Sequence, residues 1–141
     1  MRDENLKKIL ERTNLLLLNE EELKLLTRKR NGAYEQLDDG VKDLLELGIE
    51  IIVVKQGDKG CYVTDGQESN FVEAFPVKCR DTTGAGDAFN AGFIYGILQN
   101  KSLRHSCSIG NYVAACCVEY AGAIRGLPDY SKIEKFLDKK A

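Results

Sequence analysis

The stretch Ile49-Glu50-Ile51-Ile52-Val53-Val54 is rich in β-branched residues and carries almost no polar alternation. A strand with one wet face alternates polar and apolar residues; a parallel strand covered on both faces by helices does not. Upstream of it, Leu37, Val41, Leu44 and Leu45 mark the apolar face of a helix that ends at Gly48. The loop Arg28 to Ala33 separates that helix from another over Glu20 to Thr27. Further upstream, Asn14 introduces the run Leu15 to Leu18, too short for a helix and suited to a buried strand, and Leu6, Ile9 and Leu10 share a helical face. Strand, helices, strand is the order of a βαβ unit, which implies a right-handed crossover and an open α/β sheet.

Downstream, Gly60 to Thr64 and Asn70 to Phe75 flank Asp65-Gly66, the signature of a hairpin at a sheet edge. After Pro76 the pattern becomes helical, over Gly86 to Gln99, Leu103 to Tyr120 and Tyr130 to Lys139. The first two segments are rich in Gly, Ala and Cys, which lets helices approach closely. No repeat, low-complexity tract or linker divides residues 1–141, so the chain reads as one α/β domain.

Composition excludes several function classes. With 20 Lys+Arg against 22 Asp+Glu the net charge is −2, so the basic footprint of a nucleic-acid binder or a polybasic membrane anchor is missing. No apolar run approaches the roughly 20 residues of a membrane span. The first residues, Met1-Arg2-Asp3-Glu4-Asn5, contain acids and no apolar core of a secretory signal, so a cytoplasmic protein is expected. Five cysteines (Cys61, Cys79, Cys107, Cys116, Cys117) without Cys-x-x-Cys spacing argue against a disulfide scaffold or zinc site and are expected to pack as small apolar residues. The single histidine, His105, lies in a polar stretch and reads as a surface residue.

The segment that bears on chemistry is Arg80-Asp81-Thr82-Thr83-Gly84-Ala85-Gly86-Asp87-Ala88-Phe89. Three small residues precede an apolar-periodic helix, so backbone N–H groups and the positive end of the helix dipole form an anion site that a phosphate can approach. No Gly-Lys-Ser/Thr follows, and Phe89 stands where a dinucleotide fingerprint has its third glycine. From local chemistry alone the alternative is equally good: Thr82 or Thr83 caps the helix, Gly84 and Gly86 turn the chain, and Asp87 complements the dipole.

Asp81 to Phe89 resembles the carboxy-terminal signature of the ribokinase-like (PfkB-type) carbohydrate kinases. Leu18-Asn19-Glu20-Glu21-Glu22-Leu23 is similar to that family's Asn-x-x-Glu segment, and Val54-Lys55-Gln56-Gly57-Asp58-Lys59-Gly60 to its strand-end Gly-x-x-Gly loop. Gly110-Asn111 through Glu119-Tyr120-Ala121-Gly122-Ala123 matches the late helix and Gly-Ala turn. The resemblance implies a three-layer open sheet with helices on both faces, truncated to the nucleotide-binding half. It implies ATP-dependent transfer of a phosphoryl group to a sugar hydroxyl, with Asp87 as general base and Gly84, Ala85 and Gly86 as the anion hole. Asn19 and Glu22 would help place Mg²⁺ and the ATP phosphates through water, since Mg²⁺ keeps much of its hydration. On the residues alone Asn-x-x-Glu is better read as a capping box, with Asn19 as N-cap and Glu22 at N3, and the two readings are compatible. Lys55, Gly57, Asp58 and Gly60 would lie along the nucleotide and Asn111 near the adenine or ribose; Lys55 departs from the family's more frequent threonine. Asp81 and Thr83, with carbonyls around Cys117, Tyr120, Gly122 and Gly126, match positions that hold a monovalent cation in many relatives, making K⁺ a candidate.

Family members are roughly twice this length, within single-domain size, and their amino-terminal half supplies the sugar contacts and a lid. Neither is found in this sequence, so the chain is expected to be inactive alone, to expose sheet edges and apolar faces, and to self-associate or pair with a complementing half. Two other readings stay open: a nucleoside kinase with the same signature, and a non-catalytic remnant that at most binds nucleotide.

Overall fold

The structure, a computed structural model, describes residues 4–27 and 37–138. The expected loop Arg28 to Ala33 and the last expected helical residue, Lys139, lie outside them. In chain order the elements are α1 (Glu4–Leu10), β1 (Leu15–Asn19), α2 (Glu20–Thr27), α3 (Leu37–Leu45), β2 (Ile51–Lys55), a 3-10 turn (Gly57–Lys59), β3 (Gly60–Thr64), β4 (Ser69–Glu73), α4 (Ala85–Leu98), α5 (Leu103–Val118) and α6 (Tyr130–Asp138). The strands form one sheet in the order β1-β2-β3-β4.

β1 and β2 are parallel, with Leu15 opposite Ile51 and Asn19 opposite Lys55. β3 and β4 are joined by the short turn after Thr64, a link that permits only antiparallel pairing. Asp65 shapes that turn by accepting from the N–H groups of Gln67 and Glu68. The sheet is therefore mixed.

Two compact units emerge, one within Met1–Gln56 and Tyr62–Asn70, the other within Gly57–Cys61 and Phe71–Ala141. The first is built on the βαβ grammar: Leu10, Leu18, Leu23, Val41, Leu44, Ile49, Ile52 and Val54 form its core. Ile52, Val53 and Val54 are fully buried, as a strand without polar alternation requires. Strand β2 begins at Ile51 rather than Ile49, because the N–H groups of both Glu50 and Ile51 are taken by the Asn14 carbonyl.

The second unit rests on α4 against α5. Added Cβ atoms show how tightly they pack: at Gly92 one would lie 2.9 Å from Gly110 Cα, and at Gly96 2.7 Å from Ser106 Cα. The Gly-rich sequence thus serves close helix approach. Tyr112 and Phe136 stack at 4.3 Å, with Phe75 edge-on to both, which anchors α6. Cys61, Cys107 and Cys117 are buried as expected and Cys116 is half-buried, but Cys79 is exposed: it sits between β4 and α4 in a segment without regular secondary structure. Ile94, Leu98 and Ile124 are exposed apolar residues.

Candidate phosphate-binding site

In the second unit, α4 starts one residue earlier than its sequence pattern suggests, and neither threonine caps it. Its N-cap is Gly84 in the left-handed region (φ 78°), without a side-chain hydrogen bond to the first turn. Such a backbone favours glycine, and space demands it too: a Cβ on Gly84 would lie 2.5 Å from Ala123 Cβ. The Ala85 N–H donates to the Thr82 carbonyl at 3.1 Å and the Ala88 N–H to the Gly84 carbonyl at 2.9 Å. The amides of Gly84, Gly86 and Asp87 have no hydrogen-bond partner among the described residues. Of the expected anion-hole residues, Gly84 and Gly86 keep open amides while Ala85 uses its own inside the loop. Asp87 is exposed on the first turn of α4.

The loop is locked from the other side by Asp81. Its Oδ1 accepts from the Thr83 N–H (2.9 Å) and the Thr83 hydroxyl (2.7 Å), and its Oδ2 from the Gly122 N–H (2.8 Å). These three bonds favour the ionised form and hold the carboxyl down to about 2, with the Gly122 bond contributing most. The Arg80 and Asp81 N–H groups reach the Val118 carbonyl, so the end of α5 carries the approach to the loop. Gly126 folds back against the Cys116 and Cys117 carbonyls, leaving no room for a Cβ. As a set of oxygen donors this neighbourhood fits a hard monovalent cation. Asp81 brings to it only what Oδ2 has left beside the Gly122 bond.

Asn111 is buried on α5, and its Nδ2 donates to the Val72 and Glu73 carbonyls, both at 3.0 Å. Its amide nitrogen therefore secures the end of β4, leaving its carbonyl oxygen for any ligand. Gly57 has φ 61° and Gly60 φ 122°, and a Cβ on Gly60 would collide with the Val72 carbonyl. Asp58 is exposed between them.

In the first unit, Asn19 and Glu22 form the capping box. The Glu22 N–H donates to Asn19 Oδ1 and the Asn19 N–H to Glu22 Oε2, both at 2.8 Å. Asn19 ends β1 directly opposite Lys55, which ends β2, and Gln56 donates to Glu20 at 2.7 Å. Asn19, Glu22 and Lys55 thus gather beyond the carboxyl ends of parallel strands, where open α/β sheets bind ligands. Glu22 keeps its Oε1 and Asn19 a second lone pair on Oδ1, so the box is compatible with water-mediated contact to Mg²⁺.

Sequence reasoning missed Ala123, whose methyl excludes a side chain from Gly84, and the Cys117 thiol beneath Thr83. The Asp-x-Thr spacing signals the Asp81 turn, and the family resemblance groups Asp81 and Thr83 with Cys117 and Gly122 only through backbone carbonyls, not through the thiol and the N–H that meet them.

Comparison with known proteins gives this geometry its context. Residues 2–130 match the model of the pfkB family carbohydrate kinases. An uncharacterized sugar kinase of Archaeoglobus fulgidus is 41% identical over 124 residues, covering 88% of this chain and 47% of the relative. The crystal structure of ribokinase from Thermotoga maritima superposes with a TM-score of 0.84 at 31% identity, covering 94% of this chain and 44% of that one. A chain from E. coli solved in complex with ATP and Mg²⁺ gives a TM-score of 0.83 at 27% identity, covering 95% of this chain and 42% of that one. The chain therefore spans less than half the length of these relatives and has the ribokinase fold truncated accordingly. Matched along nearly its whole length, with the fold and the glycine loop in place, the chain belongs to the pfkB family of carbohydrate kinases.

Proposed function

We propose that this chain is the nucleotide-handling part of an ATP-dependent carbohydrate kinase, with its phosphate site at the start of α4. The observation that carries the reading is the uncapped helix start: open amides at Gly84, Gly86 and Asp87 where Gly84 admits no side chain. These N–H groups and the helix dipole would hold and stabilise phosphoryl oxygens as charge spreads over them. Asp87, exposed on the same turn, would orient the acceptor hydroxyl and accept its proton. Mg²⁺, when bound, neutralises charge on the ATP phosphates; Asn19 and Glu22 are assigned to its hydration shell. Lys55, Gly57, Asp58, Gly60 and Asn111 are assigned to the nucleotide. Asp81 and Thr83 are assigned to a K⁺ site, a reading encouraged by a Vibrio cholerae fructokinase of the same fold solved with fructose, ADP and potassium ion.

The acceptor is proposed to be a sugar, bound with the help of a complementing half or by a longer chain. A nucleoside acceptor is the second reading, favoured by the likeness to a nucleoside kinase of Methanocaldococcus jannaschii (TM-score 0.78, 27% identity). The test is calorimetry with MgADP and MgATP, followed by ADP release with a panel of sugars and nucleosides. We expect nucleotide binding by the isolated chain with little or no turnover. Absence of heat at millimolar nucleotide would leave a non-catalytic remnant. Robust turnover by this chain alone would overturn the need for a second half, and the acceptor used would choose between sugar and nucleoside.

A further inference from the structure

We propose that Cys117 is a positioning residue for the phosphate loop: its buried thiol, caught between the Thr83 and Ala123 carbonyls, sets the direction of the Gly84 amide. The inference deepens the phosphate-site reading above and rests on it. Cys117 lies at the end of α5 with no exposed surface. Its Sγ donates toward the Thr83 carbonyl at 3.7 Å and the Ala123 carbonyl at 3.5 Å. A thiol has a single hydrogen, so it serves one carbonyl at a time and draws both toward the same buried point.

The Thr83 carbonyl and the Gly84 N–H belong to one planar peptide unit and point in opposite directions. Holding that carbonyl inward on Cys117 therefore turns the Gly84 N–H outward, away from the core. That amide has no hydrogen-bond partner among the described residues, as an anion donor requires. The second carbonyl belongs to Ala123, whose methyl already excludes a side chain from Gly84. One sulfur thus touches both chain segments that shape the loop. Asp81 joins the same two segments through Thr83 and Gly122, but it grips the Thr83 N–H and hydroxyl and leaves the following peptide plane free to rotate.

The test compares Cys117→Ser with Cys117→Ala, which remove similar volume but differ in the hydroxyl donor. MgADP affinity is measured by calorimetry beside the thermal midpoint, and the Gly84 amide is followed by ¹H–¹⁵N NMR. We expect both variants to lose a similar amount of midpoint. Cys117→Ala should weaken MgADP about fivefold, the order expected for one hydrogen bond, and Cys117→Ser should restore most of it. The Gly84 signal should move or broaden in Cys117→Ala only. Equal affinities in the two variants and an unmoved Gly84 signal would overturn the inference, since lost volume alone treats both alike. If the smaller side chains fail to fold, Cys117→Thr and Cys117→Val make the same comparison at matched volume. Should the unaltered chain give no heat with MgADP, the phosphate reading fails by itself, and the Gly84 signal alone decides the role of Cys117.

Discussion

Replacing Gly84 by alanine adds a single methyl group, and two separable effects follow from where it goes. Gly84 has φ 78°, so any L side chain there incurs a left-handed penalty of about 1–2 kcal/mol. The new Cβ would also lie 2.5 Å from Ala123 Cβ and 3.1 Å from Ala123 Cα, so the two segments must part, at an overpacking cost of about 1–3 kcal/mol. Gly122 supplies the control: its φ is 84° and nothing lies within 4 Å of its Cβ position, so Gly122→Ala should show only the first effect. We therefore expect Gly84→Ala to lose about 2–5 kcal/mol and Gly122→Ala about 1–2 kcal/mol, read as shifts of the urea midpoint at unchanged slope. Pairing Gly84→Ala with Ala123→Gly removes the closest contact, and the cycle should return a favourable coupling of about 1 kcal/mol or more. Equal losses in the two single variants, or a cycle that sums to zero, would refute the close approach of the loop and the turn.

Four further outcomes follow from the same geometry. Because folding lowers the Asp81 carboxyl from its ordinary 3.8 to about 2, its contribution to stability is complete above pH 4 and lost as pH falls through 2. Midpoint against pH should therefore fall more steeply between pH 4 and 2 in the unaltered chain than in Asp81→Asn, where that dependence is gone. Asn19→Ala should cost about 1 kcal/mol by chemical denaturation, through loss of the N-cap of α2, with Glu22→Gln costing less because an amide oxygen still accepts. On the α4–α5 contact, Gly96→Ala should destabilise by about 1–3 kcal/mol despite its better helix propensity. Ser106→Ala, which removes a buried hydroxyl with no partner among the described residues, should be neutral or stabilising in the same assay.

Much of this was legible in the sequence because period and punctuation are local signals. The unbroken apolar run at β2 announced burial on both faces, and Asp65-Gly66 announced the hairpin. Asn19 and Glu22 carried the capping box in their spacing alone. The start of α4 was misjudged for a physical reason: threonine is a good N-cap, yet Thr83 is turned to Asp81 and the left-handed Gly84 takes its place. The roles of Gly92, Gly96 and Gly110 were legible only as a demand for close packing, since which helix approaches is a property of the fold. Gly122, Ala123 and Cys117 act on the loop from 34 to 41 residues away in sequence, the length of roughly ten turns of helix, a separation no local pattern spans.

The central claim is that phosphate oxygens sit on the open amides at the start of α4. Titrating the ¹⁵N-labelled chain with MgADP tests it directly. The Gly84, Gly86 and Asp87 amide signals should move together and saturate, while Ala85, bonded to Thr82, moves less. Saturable binding that leaves the Gly84, Gly86 and Asp87 signals in place would contradict the account.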